Sequence, residues 1–260
     1  MKNGVKLQAH KGVECEYPEN TMPSFRAAVE QGYEMIELDV RATKDDRFIF
    51  MHDVELNSTA RLPDGSKLPA PVRITDITFE ESQKYDVGIG FAEKFAGTRL
   101  PLFDDVLKLA KDNDVLLKID NKLKKLSEKQ LDLLFDLIRR SGARVCISCW
   151  DRAIAEKTVR ELPGAEISFD GLWNEDELKY YSALAGKDRF SVWLPVDFER
   201  ASWAPEDWFA TPEKARIIKK YAKLCIWAIK DEESFIKAAA LYEPYAAETN
   251  GNIKPEGYSG

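Results

Sequence analysis

The sequence predicts an α/β protein built as a single (β/α)8 barrel, and two observations indicate this fold. Short runs rich in β-branched residues alternate with amphipathic stretches of helical period along almost all of the 260 residues. About 250 residues is the usual length of such a barrel, and no linker divides this chain into parts. A doubly wound open sheet is the competing fold. It is disfavoured because no Gly-x-Gly-x-x-Gly motif follows the first strand.

Eight strands are predicted before residue 230, and a ninth candidate lies near the end of the chain. They cover residues 5–9, 35–40, 48–51, 115–119, 145–149, 166–169, 190–194 and 224–229, with 246–249 as the ninth. Residues 41–47 alone link the second and third strands, whereas a parallel crossover needs about a dozen residues. We therefore expect the barrel to be irregular between strands 2 and 3, or an extended strap to cross back there.

Seven helices are predicted between the strands, and several carry start signals. Thr21 precedes Pro23 at the start of the first, and residues 127–130 read Ser-Glu-Lys-Gln, which fits a capping box. The helices cover residues 23–31, 103–111, 127–140, 152–161, 175–184, 212–222 and 232–241. Residues 57–100 form the least regular stretch, and connections of that length are usually functional.

The charge balance of the chain bears on its partners. Lysine and arginine number 38 and aspartate and glutamate 45, which gives a formal net charge of −7. No basic patch dominates, so nucleic acid is not an expected partner. No apolar run approaches the ~18–20 residues that span a bilayer, so no transmembrane segment is expected. Nothing in the sequence indicates the oligomeric state.

The cysteines and the first residues bear on location. Cys146 and Cys149 have a metal-like spacing, but residues three apart on a strand face opposite sides, so we interpret all four cysteines as buried and reduced. The first residues lack the apolar core of a signal peptide. A cytoplasmic location is therefore expected, although a leader already removed from a secreted precursor would leave the same pattern.

The chain has two histidines, and both are predicted at strand ends. His10 ends the first predicted strand and His52 ends the third. The carboxyl ends of the strands form the active-site face of a (β/α)8 barrel. The two histidines are therefore predicted to form an acid/base pair.

Acidic residues alternate with apolar ones on two predicted strands. Glu37 and Asp39 share one face of the second strand, and Asp120 and Lys122 follow the fourth in the same alternation. Because both faces of a parallel sheet are covered, converging acids would repel one another unless a cation compensates them. These three carboxylates are therefore expected to bind a hard ion, Ca²⁺ or Mg²⁺. With Lys122 and the histidines, this set suits displacement at phosphorus.

Four motifs in order make the chain resemble the glycerophosphodiester phosphodiesterase family. They are His-Lys-Gly at 10–12, Pro-Glu-Asn-Thr at 18–21, Glu-Leu-Asp-Val at 37–40 and His-Asp at 52–53. Members of the family have His-Arg-Gly as the first of these motifs, and their other three motifs are identical to those in this chain. The resemblance covers nearly the whole chain and is strongest over residues 7–60.

The resemblance implies a TIM barrel that holds a divalent ion, usually Ca²⁺ or Mg²⁺ and alternatively Mn²⁺. It places Glu37, Asp39 and Asp120 on the family's metal ligands and His10 and His52 on its catalytic pair. It also implies that five further residues contact the substrate, a small phosphodiester, or lie beside it: Lys11, Lys122, Glu19, Asn20 and Trp227.

The chain departs from the family pattern at several positions. Lys11 replaces an arginine and loses its bidentate recognition of phosphate, and Asp120 replaces a longer glutamate. The closing Thr-Asp-Arg-Pro of the family is Thr-Asn-Gly-Asn at 249–252. Aromatic residues at 203, 208 and 209 (Trp, Trp and Phe) either line a substrate pocket or form a satellite hydrophobic cluster.

Three functions remain open from the sequence. The leading one is metal-dependent hydrolysis of glycerophosphodiesters to sn-glycerol 3-phosphate and an alcohol. The alternative is a phospholipase D-like enzyme acting on lysophospholipids or sphingolipids. The Asp-x-Lys spacing at 120–122 resembles that of such enzymes, and the nucleophile would be a substrate hydroxyl or water. The third is a barrel that binds phosphodiesters without turnover, and the two histidines argue against it.

Overall fold

The computed structural model describes residues 1–198 and 206–258. Within them the chain forms ten strands and eight α-helices. The strands are β1 (Lys6–Ala9), β2 (Met35–Leu38), β3 (Val40–Ala42), β4 (Phe48–Phe50), β5 (Leu116–Ile119), β6 (Val145–Ser148), β7 (Glu166–Asp170), β8 (Phe190–Pro195), β9 (Lys223–Trp227) and β10 (Ala246–Thr249). The helices are α1 (Met22–Glu30), α2 (Phe79–Ser82), α3 (Phe103–Asp112), α4 (Glu128–Ser141), α5 (Arg152–Glu161), α6 (Glu175–Ala185), α7 (Pro212–Tyr221) and α8 (Glu232–Tyr242).

Eight parallel strands close into a barrel. Their order around it is β1, β2, β5, β6, β7, β8, β9 and β10, and β10 pairs with β1. The predicted (β/α)8 barrel is therefore confirmed, and the ninth predicted strand, 246–249, is the one that closes it. No described helix is both long enough and apolar enough to cross a bilayer. The cytoplasmic location stays a prediction.

The third predicted strand, 48–51, was wrongly placed in the barrel. The second predicted strand ends its barrel pairing at Leu38, and β3 then pairs antiparallel with β4 in a separate two-stranded sheet. The physical reason is the connection length. Residues 43–47 are too few for a parallel crossover but enough for an antiparallel turn. After β2, the next strand of the barrel is β5, so the irregularity predicted at this place is this hairpin with the long connection after it.

Alternation along the strands divides the core into two layers. Residues at one phase of the alternation pack inside the barrel, and those between them pack outward against the helices. The inner cluster consists of Met35, Leu116, Cys146, Trp193, Cys225 and Ala246. The outer cluster contains their neighbours, among them Ile36, Leu117, Ile147, Val192, Ile226 and Ala247.

The cysteines follow the same division. Cys146 lies in the inner cluster and Cys149 in the outer one, so their side chains lie on opposite faces as predicted. Cys225 is also buried, and all four thiols are free. The prediction was wrong for Cys15, which is exposed because it lies in the loop after β1 and not on a strand.

Candidate active site

A cavity of about 360 Å³ opens at the carboxyl ends of the barrel strands. Seven of the residues that the sequence singled out line it: His10, Glu37, Asp39, His52, Asp120, Lys122 and Trp227. The remaining lining residues are Lys118, Asp170, Ala228, Glu248 and Asn250. The structure thus brings both histidines, all three predicted metal ligands and one predicted lysine into a single site.

The three carboxylates meet because β2 and β5 are neighbours in register. Leu38 pairs with Ile119, and the amide of Asp120 donates to the carbonyl of Leu38 at 3.1 Å. Asp39 and Asp120 therefore each come directly after a member of this pair. Glu37 lies two residues before Asp39, so its side chain points to the same side of the strand. One oxygen of each carboxylate lies within 4.8 Å of the other two. Oxygen ligands so close together suit a hard divalent cation.

The charges of the lining explain why such a cation fits. Five carboxylates face two ammonium groups, which leaves three uncompensated negative charges before His10 is counted. Burial, and next the neighbouring Asp39, raise the pKa of Glu37 well above its usual value. Burial also acts to raise the pKa of Asp120, but Lys118 and Lys122 outweigh it and the pKa is lowered. The donor set and the excess negative charge both fit a divalent ion held by Glu37, Asp39 and Asp120.

Lys122 reaches into this carboxylate cluster from the turn after β5. Its Nζ lies 3.0 Å from Oδ1 of Asp39 and 2.7 Å from Oδ2 of Asp120. Burial acts to lower the pKa of the Lys122 ammonium, but these two carboxylates raise it above the usual value. Lys122 therefore carries its positive charge at the edge of the cavity, beside the carboxylates that could hold a metal.

His10 is held by a glutamate that the sequence analysis missed. Its Nδ1 lies 2.7 Å from Oε1 of Glu14, and its Nε2 lies 3.9 Å from Oε2 of Glu37. Burial acts to lower the pKa of His10, but Glu248, Glu14 and Glu37 outweigh it and raise the pKa to about 10. The only signal for Glu14 is its spacing of four residues from His10.

His52 reaches the site from outside the barrel. It follows β4 of the hairpin and does not end a barrel strand, so the predicted position on a third barrel strand was wrong. Its side chain is half exposed, and its Nδ1 lies 2.9 Å from Oδ1 of Asp53. Arg41 on β3 donates through Nε to the carbonyl of Met51 at 2.8 Å and through Nη2 to the carbonyl of His52. These two bonds tie the segment that carries His52 to β3.

Lys11, Glu19 and Asn20 surround the carboxylates without lining the cavity described above. The amide of Lys11 donates to Oε2 of Glu37 at 3.1 Å, and its Nζ bonds to Oε2 of Glu19 at 3.0 Å. Asn20 donates through Nδ2 to Oδ2 of Asp39 at 2.9 Å. Gly12 permits this tight turn because its φ is +81° and an added Cβ would lie 2.2 Å from Oγ of Ser24. These residues hold two of the predicted metal ligands in place.

A family model matches residues 10–210, and its description is the glycerophosphoryl diester phosphodiesterase family. The chain belongs to this family. A glycerophosphodiester phosphodiesterase of Caldanaerobacter subterraneus is 40% identical over 114 residues, which are 44% of this chain and 44% of that protein. The aligned part is therefore less than half the length of that relative.

Two further comparisons cover more of the chain. The Bacillus subtilis protein YqiK is 27% identical over 248 residues, 83% of this chain and 99% of its own. The structure of a phosphodiesterase from Oleispira antarctica, determined with the product sn-glycerol-3-phosphate, has a TM-score of 0.73 at 15% identity. The match covers 95% of this chain and 93% of that one, and it shows the shared fold.

This family member has three charged cavity residues that the sequence analysis missed. Lys118 on β5, Asp170 at the end of β7 and Glu248 on β10 all line the cavity. Burial acts to lower the pKa of Lys118, but Asp170, Glu248 and other carboxylates raise it above its usual value. Lys118 lies two residues before Asp120, so the same alternation that located Asp120 could have located it.

The aromatic loop of this phosphodiesterase family member is only partly described. Trp208 is 42% exposed and packs near Gly171, and neither it nor Phe209 lines the cavity. Trp203 lies outside the described residues. Trp227, at the end of β9, does line the cavity.

Proposed function

We propose that the chain, acting as one domain, is a divalent-metal-dependent phosphodiesterase that cleaves glycerophosphodiesters to sn-glycerol 3-phosphate and an alcohol. The observation that carries this proposal is the convergence of Glu37, Asp39 and Asp120 within 4.8 Å in a cavity that also holds His10 and Lys122. Membership of the glycerophosphoryl diester phosphodiesterase family supports the reaction class. The product bound to the Oleispira antarctica phosphodiesterase supports the choice of sn-glycerol 3-phosphate.

Glu37, Asp39 and Asp120 would hold the ion, and their oxygen atoms suit Ca²⁺ or Mg²⁺, with Mn²⁺ as a further candidate. The ion, when bound, would polarise a phosphoryl oxygen and neutralise the charge that develops on it. Lys122 adds a positive charge at the same edge of the cavity. Lys11 lies nearby, and its ammonium, which is paired with Glu19 and Glu14, would exchange these partners to bind the phosphate.

The histidines would move the two protons that diester cleavage requires. A proton must leave the nucleophile, and another must reach the alkoxide that departs. His10 is hydrogen-bonded to Glu14, which favours the charged imidazolium, so it is suited to carry the proton for the leaving alkoxide. His52 is more exposed, and when its Nδ1 donates to Asp53, Nε2 is the ring nitrogen that can accept a proton.

A panel of glycerophosphodiesters, assayed with Ca²⁺, Mg²⁺ or Mn²⁺ and with excess EDTA, tests this function. We expect turnover only with a divalent ion and release of linear sn-glycerol 3-phosphate. EDTA should also lower the unfolding temperature, because an ion bound only to the native state stabilises it.

Three results would contradict parts of the proposal. Full activity in excess EDTA would remove the metal. A cyclic phosphate product, or a preference for lysophospholipids over glycerophosphodiesters, would favour the phospholipase D-like alternative. Binding of the diesters without turnover in any metal would indicate a binding protein.

A further inference from the structure

The floor of the cavity contains a buried ammonium group that is paired with a carboxylate, and both groups line the cavity. Lys118 projects into the barrel and is only 4% exposed. Its Nζ lies 3.6 Å from Oδ1 of Asp170, longer than a hydrogen bond, and 4.7 Å from the centre of the Trp193 ring. Asp170 is its ion-pair partner. An ammonium group has three donors, so one ion-pair partner leaves donors available to a molecule bound in the cavity.

A half-buried lysine in the same barrel, Lys223, shows the contrast. Lys223, the first residue of β9, bonds to Oε2 of Glu166, the first residue of β7, at 2.9 Å. Its Nζ also lies over an aromatic ring, that of Tyr245, at 4.5 Å. This pair is closed, lies at the amino ends of its strands and does not line the cavity. The pair of Lys118 with Asp170 is open in the sense that its two groups stand 3.6 Å apart and that both line the cavity.

The neighbours of Lys118 limit what the open pair can bind. Glu248 also faces the floor and is held by Nε2 of Gln8 at 2.5 Å. Two carboxylates beside one ammonium disfavour a second anion there, and the ammonium disfavours a cationic amine. A hydroxyl group both donates and accepts, so it can bond to Lys118 and to Asp170 at once.

We propose that Lys118 and Asp170 determine specificity by binding free hydroxyl groups of the retained glycerol, while the phosphate lies beside Glu37, Asp39 and Asp120. This inference rests on the proposed function and assigns the recognition of its unacylated glycerol to two residues. The open ammonium–carboxylate pair is the feature that recognises the hydroxyls. A lysophospholipid, whose glycerol is acylated, would offer this pair fewer free hydroxyl groups.

The test compares two phosphate monoesters that differ only in their hydroxyl groups. Binding of sn-glycerol 3-phosphate and of propyl phosphate is measured by calorimetry in Mg²⁺ for the wild type, Lys118→Met and Asp170→Asn. We expect the wild type to bind sn-glycerol 3-phosphate about tenfold or more tightly than propyl phosphate, since hydrogen bonds to charged groups distinguish the two. Each variant should reduce this preference below about threefold and leave propyl phosphate binding nearly unchanged.

Lys223→Met is the matched control, because it breaks a half-buried lysine–glutamate pair that lies away from the cavity. It should retain the wild-type preference, and thermal unfolding of all variants reports whether each one folds. Asp170→Asn keeps the size of the side chain, so it tests the pair even if Lys118→Met does not fold. Equal binding of the two ligands by the wild type, or a preference that survives in Asp170→Asn, would overturn the subsite alone. Binding of neither ligand would contradict the proposed function as well.

Discussion

Asp86 is the residue that organises the end of the long connection between β4 and α3. Its side chain is 2% exposed. One carboxylate oxygen accepts from the amides of Gly88 and Ile89, both at 2.8 Å, and the other accepts from the amide of Gly97 at 2.5 Å. Nη1 of Arg99 lies 3.4 Å from Oδ2 of Asp86. A single carboxylate thus holds a loop of some ten residues in place, and no sequence motif predicts this arrangement.

Asp86→Asn should lower the free energy of unfolding by about 2–3 kcal/mol at pH 7, because bonds to a charged acceptor are lost. Burial acts to raise the pKa of Asp86, but the three amides and Arg99 outweigh it and the pKa is lowered. A carboxyl whose pKa is lower in the folded state stabilises the protein fully above its unfolded pKa of about 4. That stabilisation is lost as the pH falls through the lower folded pKa.

Urea unfolding of the wild type and Asp86→Asn at pH 7 and at pH 3 checks this expectation. The difference between the two proteins should be larger at pH 7 than at pH 3. Equal unfolding free energies at pH 7 would contradict the account of this carboxylate.

The hairpin of β3 and β4 is the element that brings a histidine to the barrel from outside it. Arg41 on β3 donates to the carbonyls of Met51 and His52 with the two arms of one planar group. Lysine has the same charge but only a single, flexible ammonium and cannot reproduce this fork. The position of His52 therefore depends on the geometry of Arg41 and not merely on its charge.

Arg41→Lys is expected to lower kcat about 10- to 100-fold, because a displaced catalytic group loses its alignment. Thermal unfolding should change little, and the loss should disappear when the change is made in a His52→Ala background. Arg47→Lys, on the exposed side of the same hairpin, is the control and should leave kcat as it is. An equal loss with and without His52 would show that Arg41 acts on something other than this histidine.

At the scale of the whole molecule, the alternation of residues predicts most of the barrel and part of the site. The inward phase that runs through Met35, Glu37 and Asp39 changes from apolar to acidic toward the carboxyl end of β2. Leu116, Lys118 and Asp120 likewise change from apolar to charged along β5. The alternation of side chains along each strand, with a period of two residues, is therefore enough to predict that Glu37, Asp39 and Asp120 converge.

Two features could not be predicted in the same way. The apolar run at 48–50 is equally suitable for a barrel strand or a hairpin, and only the short connection before it distinguishes them. Asp170 and Glu248 meet Lys118 across the barrel, and such contacts depend on the closure of all eight strands. Local patterns specify the phase of each strand but not which side chains face one another across the interior.

The two ends of the barrel interior have different roles. The inner apolar cluster, with the fully buried Trp193, fills the amino-terminal half, whereas the carboxyl-terminal half holds the charged cavity. Changes to the charged residues should therefore alter activity more than the packing of the barrel. The two histidines offer the clearest case, since neither belongs to the buried hydrophobic core.

The most direct measurement is kcat for His10→Ala and for His52→Ala on a glycerophosphodiester that the wild type hydrolyses in saturating divalent metal. Each change is expected to lower kcat roughly 10²–10⁴-fold while the unfolding temperature stays close to that of the wild type. The double variant should lose far less than the product of the two single losses, because the histidines act as a unit. A single variant that folds and retains more than about a tenth of the wild-type kcat would contradict the role of that histidine as acid or base.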